Sequence, residues 1–229
     1  MKTDIQATAQ KLLGRPLLPE EGIPLTTIEE TEKSLAVSFP ETIKNFYRLV
    51  GNISLFTKGF ERFVPLEQLQ VQENKVVFLE ENQSVMYWAF DIHQPGRVFQ
   101  TTHLHAGKPI EWSEGILGTD KFLQMLMYYQ CVMGDEYEHQ ATQGGFSFFA
   151  SLSIEEYRNA RKAQDFIAQV NTTWECIVKA DGIAIFWKKD TILSYFLNRD
   201  GEVDGMLLAC TKNEAILEQL VEDYGFGEL

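Results

Sequence analysis

A stretch at residues 76–92, VVFLEENQSVMYWAFDI, concentrates side chains that could do chemistry. Two adjacent carboxylates, Glu80 and Glu81, stand close to Asp91, and glycosidases use two carboxylates as general acid and base. Glu80 and Glu81 are neighbours in a predicted turn, so we expect them to point apart and stay solvated. Nothing nearby supplies the apolar pocket that would raise the pKa of one of them. The sequence therefore argues against catalysis, and we expect no catalytic residue.

The same side chains are also typical of a protein interface. Aromatic anchors beside acidic and amide groups occur at the centres of binding surfaces. The candidate partner-binding residues are Glu80, Glu81, Asn82, Gln83, Trp88 and Asp91. An equally open alternative is that EENQS, residues 80–84, only turns a β-hairpin.

Other motifs for catalysis, metals or cofactors are missing from the sequence. It contains no GxSxG elbow and no GxGxxG or GxxxxGK[ST] phosphate loop. His103 and His105 would share one face of a strand and could hold two corners of a zinc site, but a convincing third ligand is missing. Cys131, Cys176 and Cys210 are widely spaced without a CxxC pair, so we expect core thiols. We predict no metal and no cofactor.

The charge balance restricts the partners of this chain. It has 33 acidic and 20 basic residues, and the net charge is -13. Proteins bind the phosphate backbone of nucleic acid with clustered Lys and Arg residues, which this sequence does not contain. We therefore expect no nucleic-acid binding. An acidic surface would instead steer a basic protein toward it, although ordinary solubility also explains the composition.

The apolar runs are too short to cross a bilayer. Residues 183–187, IAIFW, form one of the longest, and the N-terminus lacks the apolar stretch of a signal peptide. We therefore expect a cytoplasmic protein without membrane insertion.

Helical patterns open the chain and precede the candidate residues. Thr26 and Glu29 fit a capping box, so a helix should begin near Ile28. A second helix should follow with Pro40 in its first turn and Gly51 at its end in the left-handed conformation. Its apolar face at i, i+3, i+4 and i+7 comprises Ile43, Phe46, Tyr47 and Val50.

A strand pattern follows the helices. Runs rich in Val, Phe, Tyr, Trp and Thr predict an antiparallel meander over 60–69, 75–92, 96–104 and 109–112. A helix over 119–134 should end at Gly134 and bury a stripe formed by Phe122, Met125, Leu126 and Tyr129. Residues 135–145 have the composition of a connection.

The last part of the chain repeats these patterns in another order. Ser153 with Glu156 fits a capping box for a helix over about 154–170. Strands are predicted over 174–180, 182–189, 191–197 and 205–210, with turns at 180–182 and at 189–190. A final helix over 212–224 should be capped by Thr211 and Glu214. The sum is an α+β fold of mostly antiparallel β-sheet flanked by helices, which we assign to one domain, residues 1–229.

The order of these segments resembles the SUKH superfamily. The resemblance rests on FPETIKNFYRLVGN, VPLEQL, VVFLEENQSVMYWAFDI, the strand at Gly96–Phe99, Trp112 and the helix FLQMLMYYQ. It covers residues 20–134 as a SUKH-like core. Residues 150–229 would then be a C-terminal extension of ββββα type that packs on this core.

The resemblance implies a single-domain α+β fold that binds another protein and has no catalytic activity. The superfamily holds bacterial immunity proteins, which neutralise toxins that are often nucleases, and fungal regulators of glucan synthesis. Nuclease toxins tend to present a basic cleft, which suits an acidic partner. We therefore expect an immunity protein that binds a basic toxin domain. A cell-wall regulator-like scaffold and an unrecognised carboxylate-based hydrolase are the alternatives, and the sequence leaves the oligomeric state open.

Overall fold

The computed structural model describes residues 4–102, 104, 109–133, 146–153 and 160–228. These residues form two antiparallel sheets with seven α-helices among the described parts of the chain. The predicted α+β class is therefore confirmed. The chain divides into two compact units, residues 1–130 and residues 131–229. The assignment of one domain with a core at 20–134 stays a prediction.

Among the described residues, the first unit contains five α-helices, of which the second, third and fifth were predicted. They are α1 Ile5–Leu13, α2 Leu25–Leu35, α3 Glu41–Val50, α4 Ser54–Thr57 and α5 Thr119–Met133, whose last three residues belong to the second unit. Single 3-10 turns lie at Pro19–Glu21 and Leu66–Gln68. The predicted apolar face of α3 is confirmed, since Ile43, Phe46, Tyr47 and Val50 are all buried.

Two predicted helix starts are wrong. Helix α2 begins three residues before Ile28, and its N-cap is Pro24, without a capping side chain. Thr26 consequently lies inside the first turn, where its hydroxyl does not form the predicted capping box. Pro40 is likewise the N-cap of α3 rather than a residue of its first turn. Both prolines start the helix from an extended conformation, with ψ of 137° and 139°.

Gly51 ends α3 for a different reason from the one predicted. Its φ of −60° is right-handed, so no left-handed cap is formed. A Cβ at this position would lie 2.5 Å from the carbonyl oxygen of Tyr47 and 2.8 Å from the side chain of Ile23. The position requires glycine because of this crowding and not because of its dihedral angles.

The first sheet has six strands. They are β1 Glu61–Phe63, β2 Val71–Gln72, β3 Lys75–Glu81, β4 Tyr87–Asp91, β5 Arg97–Thr101 and β6 Ser113–Gly118. Their order is β1-β3-β4-β5-β6, with β2 paired to β3, and every pair is antiparallel. The predicted meander is confirmed from β3 to β5. The strand predicted at 109–112 is wrong: the strand follows at 113–118, where two glycines weaken the strand signal.

One face of this sheet carries the main aromatic packing of the first unit. Phe63 of β1 stacks on Phe46 of α3 with ring centroids 4.3 Å apart. The ring centroid of Phe78 in β3 lies 6.1 Å from that of Phe122 in α5 and 6.2 Å from that of Phe90 in β4. We call this the helix face, because α3 and α5 pack on it.

The second unit contains the second sheet and two helices. Its elements are β7 Phe148–Ser153, α6 Ala160–Thr173, β8 Glu175–Ala180, β9 Ile183–Lys188, β10 Thr191–Leu197, β11 Val203–Thr211, α7 Glu214–Tyr224 and β12 Gly227–Glu228. The strand order is β12-β7-β11-β10-β9-β8. The four predicted strands and the last helix are confirmed, whereas β7 and β12 were not predicted. Ser153 is a strand residue; its predicted capping partner Glu156, together with Gly134 and residues 135–145, lies outside the described residues.

Two tight hairpins connect β8, β9 and β10 where turns are predicted. Asp181 and Gly182 have φ of 52° and 76°, and Lys189 and Asp190 have φ of 46° and 60°. Positive φ at both central residues is the signature of type I′ turns, which match the twist of the flanking strands. These turns fix the register of the three strands.

The predicted cap of α7 is wrong by two residues. Asn213 is the N-cap, and its Oδ1 accepts a hydrogen bond of 3.0 Å from Ala215 N. Thr211 Oγ1 instead accepts from Asn213 N at 3.2 Å. Thr211 ends β11, so it is too far from the helix to cap it.

The three cysteines do not share one environment. Cys131 and Cys210 are buried, as expected of core thiols, and burial raises the pKa of both. Cys176 is exposed on β8, which ends the second sheet, so its assignment to the core is wrong. Strand β8 buries Ile177 and Val178 and leaves Glu175 and Cys176 exposed, which breaks simple alternation because the register shifts between Cys176 and Val178.

Candidate functional site

The face of the first sheet opposite the helix face has its own apolar cluster. Successive residues of a strand point to opposite faces, so Tyr87 and Ala89 of β4 lie away from Trp88 and Phe90. The cluster consists of buried Val77, Tyr87 and Ala89, against which Val64, Leu104 and Trp112 pack. We call these six residues the tryptophan face.

A cavity of about 400 Å³ opens on the tryptophan face. Val64, Val77, Tyr87 and Leu104 contribute apolar walls. Its polar lining comprises Glu67, Gln68, Gln70, Gln72 and Glu80. Five side chains with acceptor oxygens, and no Lys or Arg among the described lining residues, give this cavity the chemistry to accept hydrogen bonds from a donor or a cation. We call it the acid-amide cavity.

Asp91 lies elsewhere along β4 and is held by protein groups. Its Oδ2 is 3.1 Å from Lys75 Nζ, and its Oδ1 accepts hydrogen bonds from His93 N at 2.7 Å and Gln94 N at 3.2 Å. Burial alone would raise the pKa of Asp91, but the hydrogen bonds from His93 N and Lys75 outweigh it and lower the pKa. Lys75 Nζ also lies 4.3 Å from the ring centroid of Phe99. The carboxylate of Asp91 thus forms an ion pair with Lys75 and accepts the two backbone hydrogen bonds of a turn.

The six predicted binding residues lie on two faces and a turn. Glu80 is opposite Tyr87 in the register of β3 and β4, and it lines the acid-amide cavity. Trp88 is opposite Leu79, and its ring centroid lies 6.2 Å from that of Phe122 in α5, so Trp88 belongs to the helix face. The register shift between Val77 and Leu79 produces this assignment, because it changes the alternation along β3.

The EENQS stretch forms a closed hairpin turn. Glu81 Oε2 accepts hydrogen bonds from Gln83 N at 2.9 Å and Val85 N at 3.4 Å, and Glu81 O accepts from Ser84 N at 2.8 Å. Ser84 has φ of 58°. The Glu81 side chain therefore satisfies two backbone N–H groups of the turn. Gln83 is exposed, whereas Asn82 is half-buried and its Oδ1 is buried without a hydrogen-bond partner among the described residues. Partner binding by these residues stays a prediction.

One buried carboxyl group of the first unit was not singled out by sequence analysis. Glu61 of β1 is only 5% exposed, and its Oε2 is buried without a hydrogen-bond partner among the described residues. Burial, and then the charge of Glu81 on the neighbouring strand, raise the pKa of Glu61 to about 8. The charges of Glu61 and Glu81, after burial itself, also raise the pKa of Tyr129 on α5.

The main chain of Glu61 is fixed by Gln130. Glu61 N donates to Gln130 Oε1 at 3.0 Å, and Gln130 Nε2 donates back to Glu61 O. Gln130 is fully buried, and a Cβ on Gly59 would lie 2.7 Å from its Oε1. The alternation of FERF, in which Glu61 shares a face with buried Phe63, is the sequence signal that could have marked Glu61.

The described part of the chain shows neither a metal-binding cluster nor a membrane-spanning helix. Within the described residues, no group of three His, Cys, Asp or Glu side chains could hold a metal ion. The predicted histidine pair, His103 and His105, lies outside these residues. Among the described helices, none combines the length and apolarity needed to cross a membrane.

Comparisons with known proteins do not add a family to this geometry. The chain matches no protein-family model, and searches of curated proteins and of solved structures find no significant match.

Proposed function

We propose that this chain is a non-enzymatic protein-binding module, and specifically an immunity protein of the SUKH type that neutralises a basic, nuclease-type toxin domain. The observation that carries the proposal is the acid-amide cavity on the tryptophan face. Apolar walls beside carboxylate and amide oxygens suit an Arg or Lys side chain of a partner, whose stem packs while its head is bound.

The rim of the cavity explains how such a partner would be attracted. Glu67 is exposed and Glu80 is half-buried, so both keep contact with solvent. Charges at the rim of an interface mainly accelerate association, and the net charge of -13 extends the same field. The acidic composition then acts in steering the toxin as well as in solubility.

The apolar cluster explains how the complex would be held. Tyr87 is buried, and Trp112 is half-buried with an indole Nε1 that has no hydrogen-bond partner among the described residues. Interface centres are rich in such aromatics, because they bury much area at small entropic cost. A partner acceptor placed at Trp112 Nε1 would satisfy this donor.

The proposal is tested with a tagged full-length chain in a pull-down from the native host, followed by mass spectrometry and size-exclusion chromatography. The variant is Glu67→Lys/Glu80→Lys, and Glu29→Lys/Glu30→Lys on exposed positions of α2 is the control with the same change in net charge. We expect the wild type and the control to capture a stoichiometric amount of a basic domain. The cavity variant should capture at least about tenfold less of that domain.

Equal capture by all three proteins would exclude the acid-amide cavity from the interface. Recovery of envelope or signalling proteins instead of a toxin would favour the cell-wall regulator-like scaffold.

One observation favours a carboxylate-based hydrolase as a second candidate. Burial raises the pKa of Glu61 to about 8, so its carboxyl group would keep its proton at neutral pH, as a general acid requires. Its side chain is buried, however, and Glu61 does not line the acid-amide cavity. Glu61→Gln separates the two functions: an immunity protein keeps its toxin binding, whereas a hydrolase that uses Glu61 loses its activity.

A further inference from the structure

The second unit contains a cavity whose charge is opposite to that of the chain. It lies between α6, α7 and the turn joining β9 to β10, and its volume is about 410 Å³. Two lysines, Lys188 and Lys189, line it, and no carboxylate is among the described lining residues. In a chain with 33 acidic and 20 basic residues, such a lining is a local exception. We call it the lysine-aromatic cavity.

The two lysines are positioned by the backbone. Lys188 is the last residue of β9 and pairs with Thr191 in the sheet register, and its Nζ lies 5.8 Å from the ring centroid of Trp174. Lys189 occupies the first central position of the type I′ turn. The two lysines thus enter the lining of the cavity from a tight hairpin and not from a long loop.

Aromatic rings form the wall of the cavity. Phe166 of α6 lies 4.4 Å from Tyr224 of α7 and 6.2 Å from Trp174, measured between ring centroids. Phe166 is buried, while Trp174 and Tyr224 are half-buried. Trp174 and Tyr224 therefore offer ring surface toward the cavity that is not consumed by packing.

Polar groups beside the rings can orient a ligand. Tyr224 Oη donates to Gln169 Oε1, which leaves the amide N–H groups of Gln169 at the lining. Asn213 also lines the cavity, and its Oδ1 is already used to cap α7. The side-chain N–H groups of Gln169 and Asn213 then add neutral donors to the two cations.

We propose that the lysine-aromatic cavity binds a small organic anion in which a planar ring carries a carboxylate or a phosphate. The ring would lie against Trp174 and Tyr224, and the anionic group would meet Lys188 and Lys189. The volume is within the range of small-molecule sites. This inference is independent of toxin binding, because all its residues belong to the second unit.

The test uses the full chain and three probes: indole-3-acetate, the neutral indole-3-acetamide, and inorganic phosphate. Binding is followed by the NMR resonance of the Trp174 indole N–H, which is assigned by its loss in Trp174→Phe. We expect saturable binding of indole-3-acetate with a Kd of about 1 mM or tighter, and at least about tenfold weaker binding of the amide. Inorganic phosphate should bind more weakly than indole-3-acetate, because it has no ring.

Variants assign the anion contact to the lysines. Lys188→Met/Lys189→Met should weaken indole-3-acetate binding at least about tenfold, and Lys188→Arg/Lys189→Arg should retain it. The control is Lys33→Met/Lys58→Met, which removes the same charge from exposed positions of the first unit. If the double Met variant does not fold, the comparison of acid and amide on the wild type carries the test.

Three results would overturn the proposal. They are the absence of saturable binding by indole-3-acetate, equal affinity for the acid and the amide, and equal loss of binding in the control and the double Met variant.

Discussion

Glu61 and Asp91 belong to the same sheet and are both largely buried, with 5% and 9% of their surface exposed, yet their pKa values move in opposite directions. The region around Asp91 supplies Lys75 and two backbone N–H groups. The region around Glu61 supplies the negative charge of Glu81 and leaves Oε2 without a partner among the described residues. Burial alone therefore does not decide the charge of a carboxyl group; the groups that face it do.

The two carboxyl groups also differ in their charge state in the folded chain. Asp91 stabilises a turn as a carboxylate, whereas Glu61 is held neutral over most of the physiological range. Neither environment resembles the acid-amide cavity, where Glu67 and Glu80 keep contact with solvent. The residues available to a partner are thus different from the residues with the most perturbed pKa values.

The two largest effects are expected at Glu61, and one of them comes from removing the amide that fixes its main chain. Gln130→Leu leaves the buried N–H and C=O of Glu61 without their partner, and we expect the first unit to lose about 3 kcal/mol of its free energy of unfolding. Urea denaturation of the full chain, followed by amide NMR signals of β3 and β4, measures this loss. Gln124→Leu, at a half-buried position of the same helix, is the control and should change stability by less than about 0.5 kcal/mol. Equal losses in the two variants would mean that Gln130 acts through packing alone.

The other large effect concerns the charge of Glu61 itself. Its pKa is about 8 in the folded chain against an ordinary value of 4.5, so the folded state binds its proton more tightly. The resulting stability is fully present below pH 4.5 and is lost as the pH rises through 8. We expect the wild type to lose about 4 kcal/mol between pH 5 and pH 9, and Glu61→Gln to lose much less.

Glu30→Gln, at an exposed position of α2, is the matched control. It should reproduce the pH dependence of the wild type. A flat stability profile for the wild type would place the folded pKa of Glu61 near its ordinary value and remove the contrast with Asp91.

A smaller effect is expected at Asp91. Lys75→Met removes the ion pair but leaves the two backbone donors, so we expect a loss of about 1 kcal/mol and an increase in the pKa of Asp91. A carboxyl ¹³C NMR titration measures the pKa, and Lys33→Met is the exposed control. The sign is opposite to that of Glu61: the stability supplied by Asp91 is present above its ordinary pKa of 3.8 and is lost as the pH falls below it. An unchanged pKa of Asp91 in Lys75→Met would mean that the hydrogen bonds from His93 N and Gln94 N alone lower this pKa.

The smallest expected effect is a change in the pKa of Glu61 when the charge of Glu81 is removed, and it separates the two causes of the raised pKa. Burial is the larger cause and the charge of Glu81 the smaller one, so Glu81→Gln should lower the pKa of Glu61 while leaving it above 4.5. The same NMR titration reports it, with Glu80→Gln as the control on the opposite face of β3. A return of the pKa to 4.5 in Glu81→Gln would make Glu81, and not burial, the main cause.

Local sequence patterns were sufficient for most of the fold. The period of Ile43, Phe46 and Val50 predicted α3 and its buried face, and the Asp181-Gly182 turn between apolar runs predicted a hairpin of the second sheet. Such features depend on residues close together in the chain, so one sequence contains the necessary information.

Features that depend on distant residues could not be predicted in this way. Glu61 belongs to a strand of three residues, and its environment is set by Gln130 and Tyr129, which lie about seventy positions later in the chain. The acid-amide cavity similarly joins Glu67 to Glu80 through the pairing of strands. The sequence identified Glu80 and Glu81 from their neighbours but could not tell which of them faces the cavity, because the register shift in β3 decides their faces.

The uneven burial of the cysteines provides a route to site-selective labelling. A maleimide reacts with an accessible thiolate, and the buried thiols of Cys131 and Cys210 have raised pKa values. Exposed Cys176 is therefore the thiol that a fluorophore or spin label should modify in the folded chain. The unaltered sequence already contains a reporter position on β8, so distances from the second sheet to a bound molecule can be measured by resonance energy transfer without introducing a cysteine.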